Sequence, residues 1–173
     1  MIRVDNLQSS DPTVFLIDFG LARLYRNPAT CLHIPSTTNH SMIGTFTFAS
    51  VNSQQGNSQS RRDDLESLAY TIIYSALGDL PWTSGNARKN EKAVLHKKIS
   101  ITVEELCEGL PAPFCKFVNY VHSLGFKEKP DYQYLHSILL QCSETVTETV
   151  PLYTFSDVSA ESVDHASIAT GRA

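Results

Sequence analysis

The stretch SRRDDLESLAYTIIYSALG, residues 60–78, carries the clearest structural signal in the sequence. Apolar side chains recur in it with the 3.6-residue period of an α-helix, at Leu65, Leu68, Ala69, Ile72, Ile73, Ala76 and Leu77. Ser60 followed by Asp63 resembles a capping box at the start, and Gly78 supplies a stop at the end. The apolar stripe is wide, which predicts a helix central to the core.

The residues that follow predict a mainly α-helical fold. A charged surface helix is expected over residues 88–99, and Thr102 opens a short helix through a second capping pattern. Further helices are expected after Pro113 and after Pro130-Asp131. From residue 143 onward Ser, Thr, Glu, Val and Ala dominate without a helical stripe, so residues 143–173 are predicted to be a low-complexity, disordered tail.

The residues before the central helix carry a different pattern. A short apolar run, Val14 to Ile17, precedes Asp18-Phe19-Gly20 and predicts a buried strand that ends in a turn, within a short β-hairpin near the N-terminus. Residues 22–60 are rich in Ser, Thr, Asn and Pro, which indicates either a long ordered loop or a mobile segment. Loops of this length inside a domain are usually functional.

Composition narrows the class of partner. The chain has 173 residues and a formal net charge of −4, which argues against nucleic acid or an anionic membrane as a partner. Four cysteines without a CxxC pair favour reduced thiols in a cytoplasmic protein over a disulfide or zinc. The basic stretch from Arg88 to Lys98 predicts a solvated helix face, with nuclear import or anion binding as the minor alternative.

Asp18-Phe19-Gly20 is the tripeptide in which a protein kinase places its magnesium-binding carboxylate. Asn6 lies twelve residues upstream, in a stretch comparable to the end of the kinase catalytic loop, H-R-D-x-x-x-x-N. Hard magnesium prefers carboxylate and amide oxygens together with nucleotide phosphates. Asp18 and Asn6 are therefore predicted ligands in a metal and nucleotide site, and the alternative for Asp18 is an ordinary turn residue.

Further motifs narrow this resemblance. Arg23 ends IDFGLAR, and Gly44-Thr45 follows His33-Ile34-Pro35. The sequence then has Ala-Ser-Val-Asn at 49–52 in place of the usual Ala-Pro-Glu, the run QSRRDDLESL at 59–68, Leu-Pro-Trp at 80–82 and Lys-Pro-Asp-Tyr at 129–132. Over residues 2–141 the chain closely resembles the casein kinase 1 family of Ser/Thr protein kinases.

The resemblance implies a partial kinase domain over residues 1–142, namely the helical C-terminal lobe from the end of the catalytic loop. It implies that Asn6 and Asp18 bind Mg²⁺ and ATP in the intact family. Residues 21–50 would form the activation segment and peptide-docking surface, with the motif residues Phe19, Gly20, Gly44 and Thr45. Asp64 would match a buried acid that accepts hydrogen bonds from the catalytic loop, and Trp82 would have a structural role.

The resemblance also implies what this chain does not supply. Met1 stands at the position of the catalytic base, so no catalytic residue is assigned, and the Gly-rich loop and its lysine would lie upstream. Phosphoryl transfer depends on those parts, so the chain alone is expected to be inactive. Thr47 replaces an arginine of the family, which weakens the expectation of an acidic substrate.

A protein substrate or protein partner is the expected ligand. The alternative function is a pseudokinase-like binding or scaffold fragment. In the family fold a preceding helix covers part of the Leu65–Leu77 stripe, so that part is expected to face water here and to promote instability or self-association.

Overall fold

The computed structural model describes residues 2–5, 13–42, 44–83 and 90–147. Helices dominate this part of the chain, which confirms the prediction of a mainly helical protein. They are α1 (Val51–Gln54), α2 (Arg61–Leu77), α3 (Glu91–Ser100), α4 (Val103–Leu106), α5 (Pro113–Ser123) and α6 (Tyr132–Thr147), with a 3₁₀ turn at Phe19–Leu21.

The described residues divide into two units, one of residues 2–5 and 13–18 and one from residue 19 to residue 147. In the first unit, strands β1 (Ile2–Asp5) and β2 (Thr13–Leu16) pair antiparallel, with Ile2 opposite Leu16. The connecting residues 6–12 lie outside the described part, so the predicted hairpin stays a prediction. The second unit carries the helices.

Both predicted ends of the central helix α2 are present. The Asp63 carboxylate accepts a hydrogen bond from the Ser60 amide at 2.7 Å, which holds the first turn. At the other end Gly78 has a φ of +78° and its amide donates to the Tyr74 carbonyl at 2.8 Å. Only glycine adopts this left-handed backbone without steric cost, which is why the helix ends there.

In the core, α5 packs against both α2 and α6. Helix α4 also packs against α5, and α1 packs against α2 and α3. Helix α5 begins with Pro113 in its first turn and buries one face, formed by Phe114, Phe117, Val118 and Val121. Trp82 and Ile73 are fully buried in the same cluster. This burial is the main source of stability for the unit.

One row of α2 faces solvent. Leu68 is 40% exposed, Ala76 is exposed and Ile72 is half-buried, and these three residues repeat every fourth position after the exposed Asp64. Such spacing places them along one line on the helix surface. Part of the apolar stripe therefore faces water, as expected from the sequence.

Helix α6 extends further than predicted. It runs to Thr147, so the first five residues of the expected tail, 143–147, are helical. Cys142 packs against the core, and the Thr145 hydroxyl donates to the Gln141 carbonyl at 2.9 Å, so the last turns are held although the apolar pattern fades. Residues 148–173 lie outside the described part. None of the helices in the described ranges is long and apolar enough to cross a membrane.

Candidate functional site: the anchored segment around Lys98

Residues 44–50, here called the anchored segment, form a tight turn before α1. Gly44 has a φ of +99°, and the Thr45 carbonyl accepts hydrogen bonds from the amides of Phe48 and Ala49, both at 3.1 Å. The buried Trp82 holds the turn, because its Nε1 donates to the Thr47 carbonyl at 2.9 Å. The turn is therefore fixed by a residue that lies 35 positions later in the chain.

Lys98 is the second anchor. Its Nζ donates to the carbonyls of Phe46 at 2.7 Å and Ala49 at 2.6 Å. The same nitrogen lies 4.8 Å from the ring centre of Tyr70 and 5.1 Å from that of Trp82, both within the range of a cation–π interaction. Burial lowers the pKa of Lys98 to about 7, although the negative charge of Glu66 acts in the opposite direction.

The prediction that Lys98 belongs to a solvated helix face is wrong. Lys98 is 5% exposed, whereas its neighbour Lys97 is exposed as expected. The carbonyls of the anchored segment supply the hydrogen bonds that a buried amine needs. A signal in the sequence existed, because Lys98 follows the buried Val94 at four-residue spacing and so lies on the same face of α3.

Two buried acids of α2 connect the helix to the start of α1. Asp63 accepts a hydrogen bond from the Ser50 hydroxyl at 2.8 Å, and that oxygen also caps α1 by accepting from the Ser53 amide at 3.0 Å. Glu66 accepts from the Val51 amide and from the Tyr70 hydroxyl, both at 2.8 Å. Burial, together with the charge of Glu66, raises the pKa of Tyr70.

The loop before the anchored segment is also attached to the helices. The Arg61 guanidinium of α2 lies over the Tyr25 ring at 4.4 Å, and His33 packs edge-on against Phe126 at 4.8 Å between ring centres. Further along, the Thr37 amide donates to the Ser58 hydroxyl at 2.9 Å. These contacts support the ordered-loop alternative for this part of the chain.

The predicted metal and nucleotide ligands are only partly described. Met1 and Asn6 lie outside the described residues. Asp18 follows β2, is exposed and has a left-handed φ of +67°, and Phe19 and Gly20 begin an exposed 3₁₀ turn. Within the described ranges, no group of three or more His, Cys, Asp and Glu side chains is arranged to hold a metal ion.

Asp64 differs from its expected environment. The resemblance implies a buried acid at this position, but Asp64 as a whole residue is exposed and only its carboxylate is partly covered. No donor among the described residues lies within hydrogen-bonding distance of it. Partial burial, followed by repulsion from Asp63, raises its pKa. The buried acid in this turn of α2 is Asp63, which is 2% exposed because it faces Ser50 and Ser60.

The geometry thus brings together Ser50, Asp63, Glu66, Trp82 and Lys98, which sequence reasoning had assigned to separate motifs or to the surface. Together they present residues 44–50 as a fixed turn on the helical unit. No model of a known protein family matches the chain.

Proposed function

We propose that this chain is the C-terminal lobe of a casein kinase 1-like Ser/Thr protein kinase and that residues 19–50 dock a protein substrate. One observation carries the proposal: residues from three separate motifs of the resemblance meet at the anchored segment. Ser50 and Val51, which stand in place of the usual Ala-Pro-Glu, bond to Asp63 and Glu66 of the QSRRDDLESL run. Trp82 of the Leu-Pro-Trp motif holds Thr47. A fixed docking turn is what positioning of a peptide requires.

In the intact family ATP supplies the γ-phosphate that is transferred to Ser or Thr, and Mg²⁺ would neutralise the charge of the phosphates. The exposed Asp18 carboxylate fits one ligand position for Mg²⁺, which usually takes only one or two protein carboxylates. The transfer also requires a Gly-rich loop, a lysine and a catalytic base. The 173 residues contain no His-Arg-Asp motif. The part proposed for this chain is therefore docking, and we expect no phosphorylation by the chain alone.

A kinase assay tests the expected inactivity. The full chain is incubated with Mg²⁺, radiolabelled ATP and dephosphorylated casein, and an Asp18→Asn variant serves as the matched control. We expect equal, background incorporation for both proteins. Incorporation that is well above background and is lost in Asp18→Asn contradicts the assignment of a purely docking part.

Hydrogen exchange tests the docking surface separately. Dephosphorylated casein is expected to slow amide exchange in residues 19–50 of the wild-type chain. Trp82→Phe keeps an aromatic ring but removes the donor to Thr47, so it should weaken this protection. Tyr74→Phe is the control, because it keeps the ring that packs on Phe48 and removes only an exposed hydroxyl. Protection confined to other regions, or no protection at all, contradicts the docking role.

A second candidate function is a pseudokinase-like binding or scaffold fragment. The observation that favours it is the row of Leu68, Ile72 and Ala76 on α2, in which Leu68 and Ala76 are exposed and Ile72 is half-buried. Asp64 lies at the N-terminal end of this row. Burying such a row against a second copy removes apolar surface from water. Self-association is therefore expected in light scattering coupled to size-exclusion chromatography.

Leu68→Glu should reduce the apparent mass toward that of the monomer. Leu140→Glu is the matched control, since Leu140 is 51% exposed on a different helix, α6. A wild-type monomer at all concentrations, or equal effects of the two substitutions, argues against this second candidate.

A further inference from the structure

A cleft of about 250 Å³ opens between α1, α2, α3 and α5. Part of its lining is apolar and consists of Val51, Val121 and Leu124. Ile99 adds an apolar side chain that is 58% exposed, at the edge of the cleft. Small-molecule sites typically occupy about 300–1,000 Å³, so this cleft suits one or two side chains rather than a nucleotide.

The rest of the lining is polar and includes three basic side chains. Arg62, Lys98 and His122 line the cleft together with a single acid, Glu66. Glu66 is already satisfied internally, because it accepts hydrogen bonds from the Val51 amide and the Tyr70 hydroxyl and lies near the charge of Lys98. Lys98 already donates to the carbonyls of Phe46 and Ala49, so Arg62, whose guanidinium is always charged, is the cation of this lining that can pair with an anionic group.

Arg62 has hydrogen-bonding capacity that the protein does not use. Its Nε is buried without an acceptor in hydrogen-bonding range. The Asp63 Oδ2 atom lies 3.7 Å from this nitrogen, and the two Asp63 oxygens already accept bonds from the Ser50 hydroxyl and the Ser60 amide. The Arg62 Nη1 makes only a long bond of 3.4 Å to the Leu124 carbonyl. The Arg62 side chain is 22% exposed although its Nε is buried, so a bound acceptor would pair with the accessible part of the guanidinium.

We propose that this cleft binds an acidic side chain of a protein partner, with its carboxylate on Arg62 and a neighbouring aliphatic side chain on Val51, Val121 and Leu124. Guanidinium groups pair with carboxylates through charge-assisted hydrogen bonds, which are stronger than neutral ones. The apolar lining residues Val51, Val121 and Leu124 add hydrophobic contact. The partner is therefore expected to present an acidic residue next to a Leu- or Ile-like residue. The site does not depend on the proposed kinase relationship, because only the residues of the cleft define it.

Nuclear magnetic resonance titrations of the full chain test the carboxylate requirement. The probes are 4-methylpentanoate, which carries an aliphatic group and a carboxylate, and 4-methylpentanamide, its neutral analogue. The carboxylate is expected to shift the Arg62 Nε–H resonance and the backbone amides of the lining, and to bind about tenfold or more tightly than the amide. Equal affinity for the two probes, or shifts that leave out Arg62, overturns the proposal.

The matched variants are neighbours on α2. Arg62→Gln should weaken binding of the carboxylate about tenfold or more. Arg61→Gln should leave it unchanged, because Arg61 bonds to the Lys127 carbonyl and does not line the cleft. Ile99→Glu places a negative charge at an exposed edge position without disturbing the core, and it should also abolish binding. Unchanged binding in Arg62→Gln or Ile99→Glu overturns the proposal.

A peptide comparison distinguishes a protein partner from a small free acid. N-acetyl-Ala-Glu-Leu-Ala-amide should bind more tightly than 4-methylpentanoate, and the same peptide with Gln in place of Glu should bind about tenfold more weakly. Binding of the free carboxylate without binding of the Glu peptide overturns the protein-partner assignment.

Discussion

At the scale of single residues, Lys97 and Lys98 show that the burial of a side chain can depend on residues far away in sequence. Lys97 is exposed, whereas Lys98 is buried and bonds to two backbone carbonyls that lie about fifty positions earlier in the chain. Removing the amine leaves those carbonyls without their donor, and an unsatisfied buried polar group costs about 1–3 kcal/mol.

Lys98→Met is therefore expected to lower the free energy of unfolding by about 2–4 kcal/mol in a urea titration. Lys97→Met is the control and should change it by less than about 0.5 kcal/mol. Equal effects of the two substitutions would show that the bonds to Phe46 and Ala49 do not hold the segment.

The lowered pKa of Lys98 also predicts how stability depends on pH. Its pKa is about 7 in the folded chain and about 10.5 when exposed, so between these values the unfolded chain binds more protons. Stability should therefore rise with pH above 7, by up to about 1.4 kcal/mol per pH unit. A neutral amine still has two N–H groups, so both carbonyls remain satisfied.

A second group limits this rise. Burial raises the pKa of Cys107 to about 12, whereas an exposed thiol ionises near 9, so the unfolded chain loses its proton first. The contribution of Cys107 to stability therefore falls above pH 9 and offsets the rise from Lys98. Thermal or urea unfolding should thus show a free energy of unfolding that rises between pH 7 and 9 and levels off between pH 9 and 10. In Lys98→Met the rise between pH 7 and 9 should disappear; its persistence would assign the rise to another group.

At the scale of elements, the C-terminal end of α2 isolates the contribution of one backbone conformation. Gly78 has a φ of +78°, and a Cβ added there would meet no atom within 4 Å. Gly78→Ala should therefore cost only the strain of a left-handed residue, about 1–2 kcal/mol in the free energy of unfolding. Gly78→Asn should cost less, since Asn tolerates this conformation. An Asn variant that is no more stable than the Ala variant would contradict this explanation.

The ends of α2 and α4 were predictable because their signals are local. Each signal acts within about one turn of the backbone. The Ser60 amide bonds to Asp63 at the start of α2, and the Gly78 amide bonds to the Tyr74 carbonyl at its end. Thr102 and Glu105 bond to each other at the start of α4. The burial of Lys98 was not predicted, because it depends on Phe46 and Ala49, which reach it only after the chain folds. The exposure of Asp64 rather than Asp63 likewise depends on where Ser50 lies. The ends of these helices thus follow from residues close in sequence, whereas the burial of Lys98 and Asp63 follows from contacts with residues far away in sequence.

At the scale of the whole molecule, the described helices bring together cysteines that are far apart in sequence. Cys107 after α4, Cys115 in α5 and Cys142 in α6 belong to or pack against one core, and the three thiols influence one another. Cys31 is the exception, because it lies exposed in the loop before the anchored segment. Thiol reactivity therefore reports whether α4, α5 and α6 pack as described.

Alkylation of the native chain with iodoacetamide at pH 8 should label one thiol quickly and three slowly. Thiolates are the reactive form, and burial raises the pKa of both Cys107 and Cys142, so these thiols stay protonated. Cys107 is also shielded, because it is buried, whereas Cys142 is half-buried. Mass spectrometry should find the fast label on Cys31, with the fast phase absent in Cys31→Ser and retained in Cys142→Ser. In denaturant all four should react at similar rates. Rapid labelling of Cys107 in the native chain would mean that the core around α4, α5 and α6 opens, and the helical unit would then not be the fixed support that a docking turn needs.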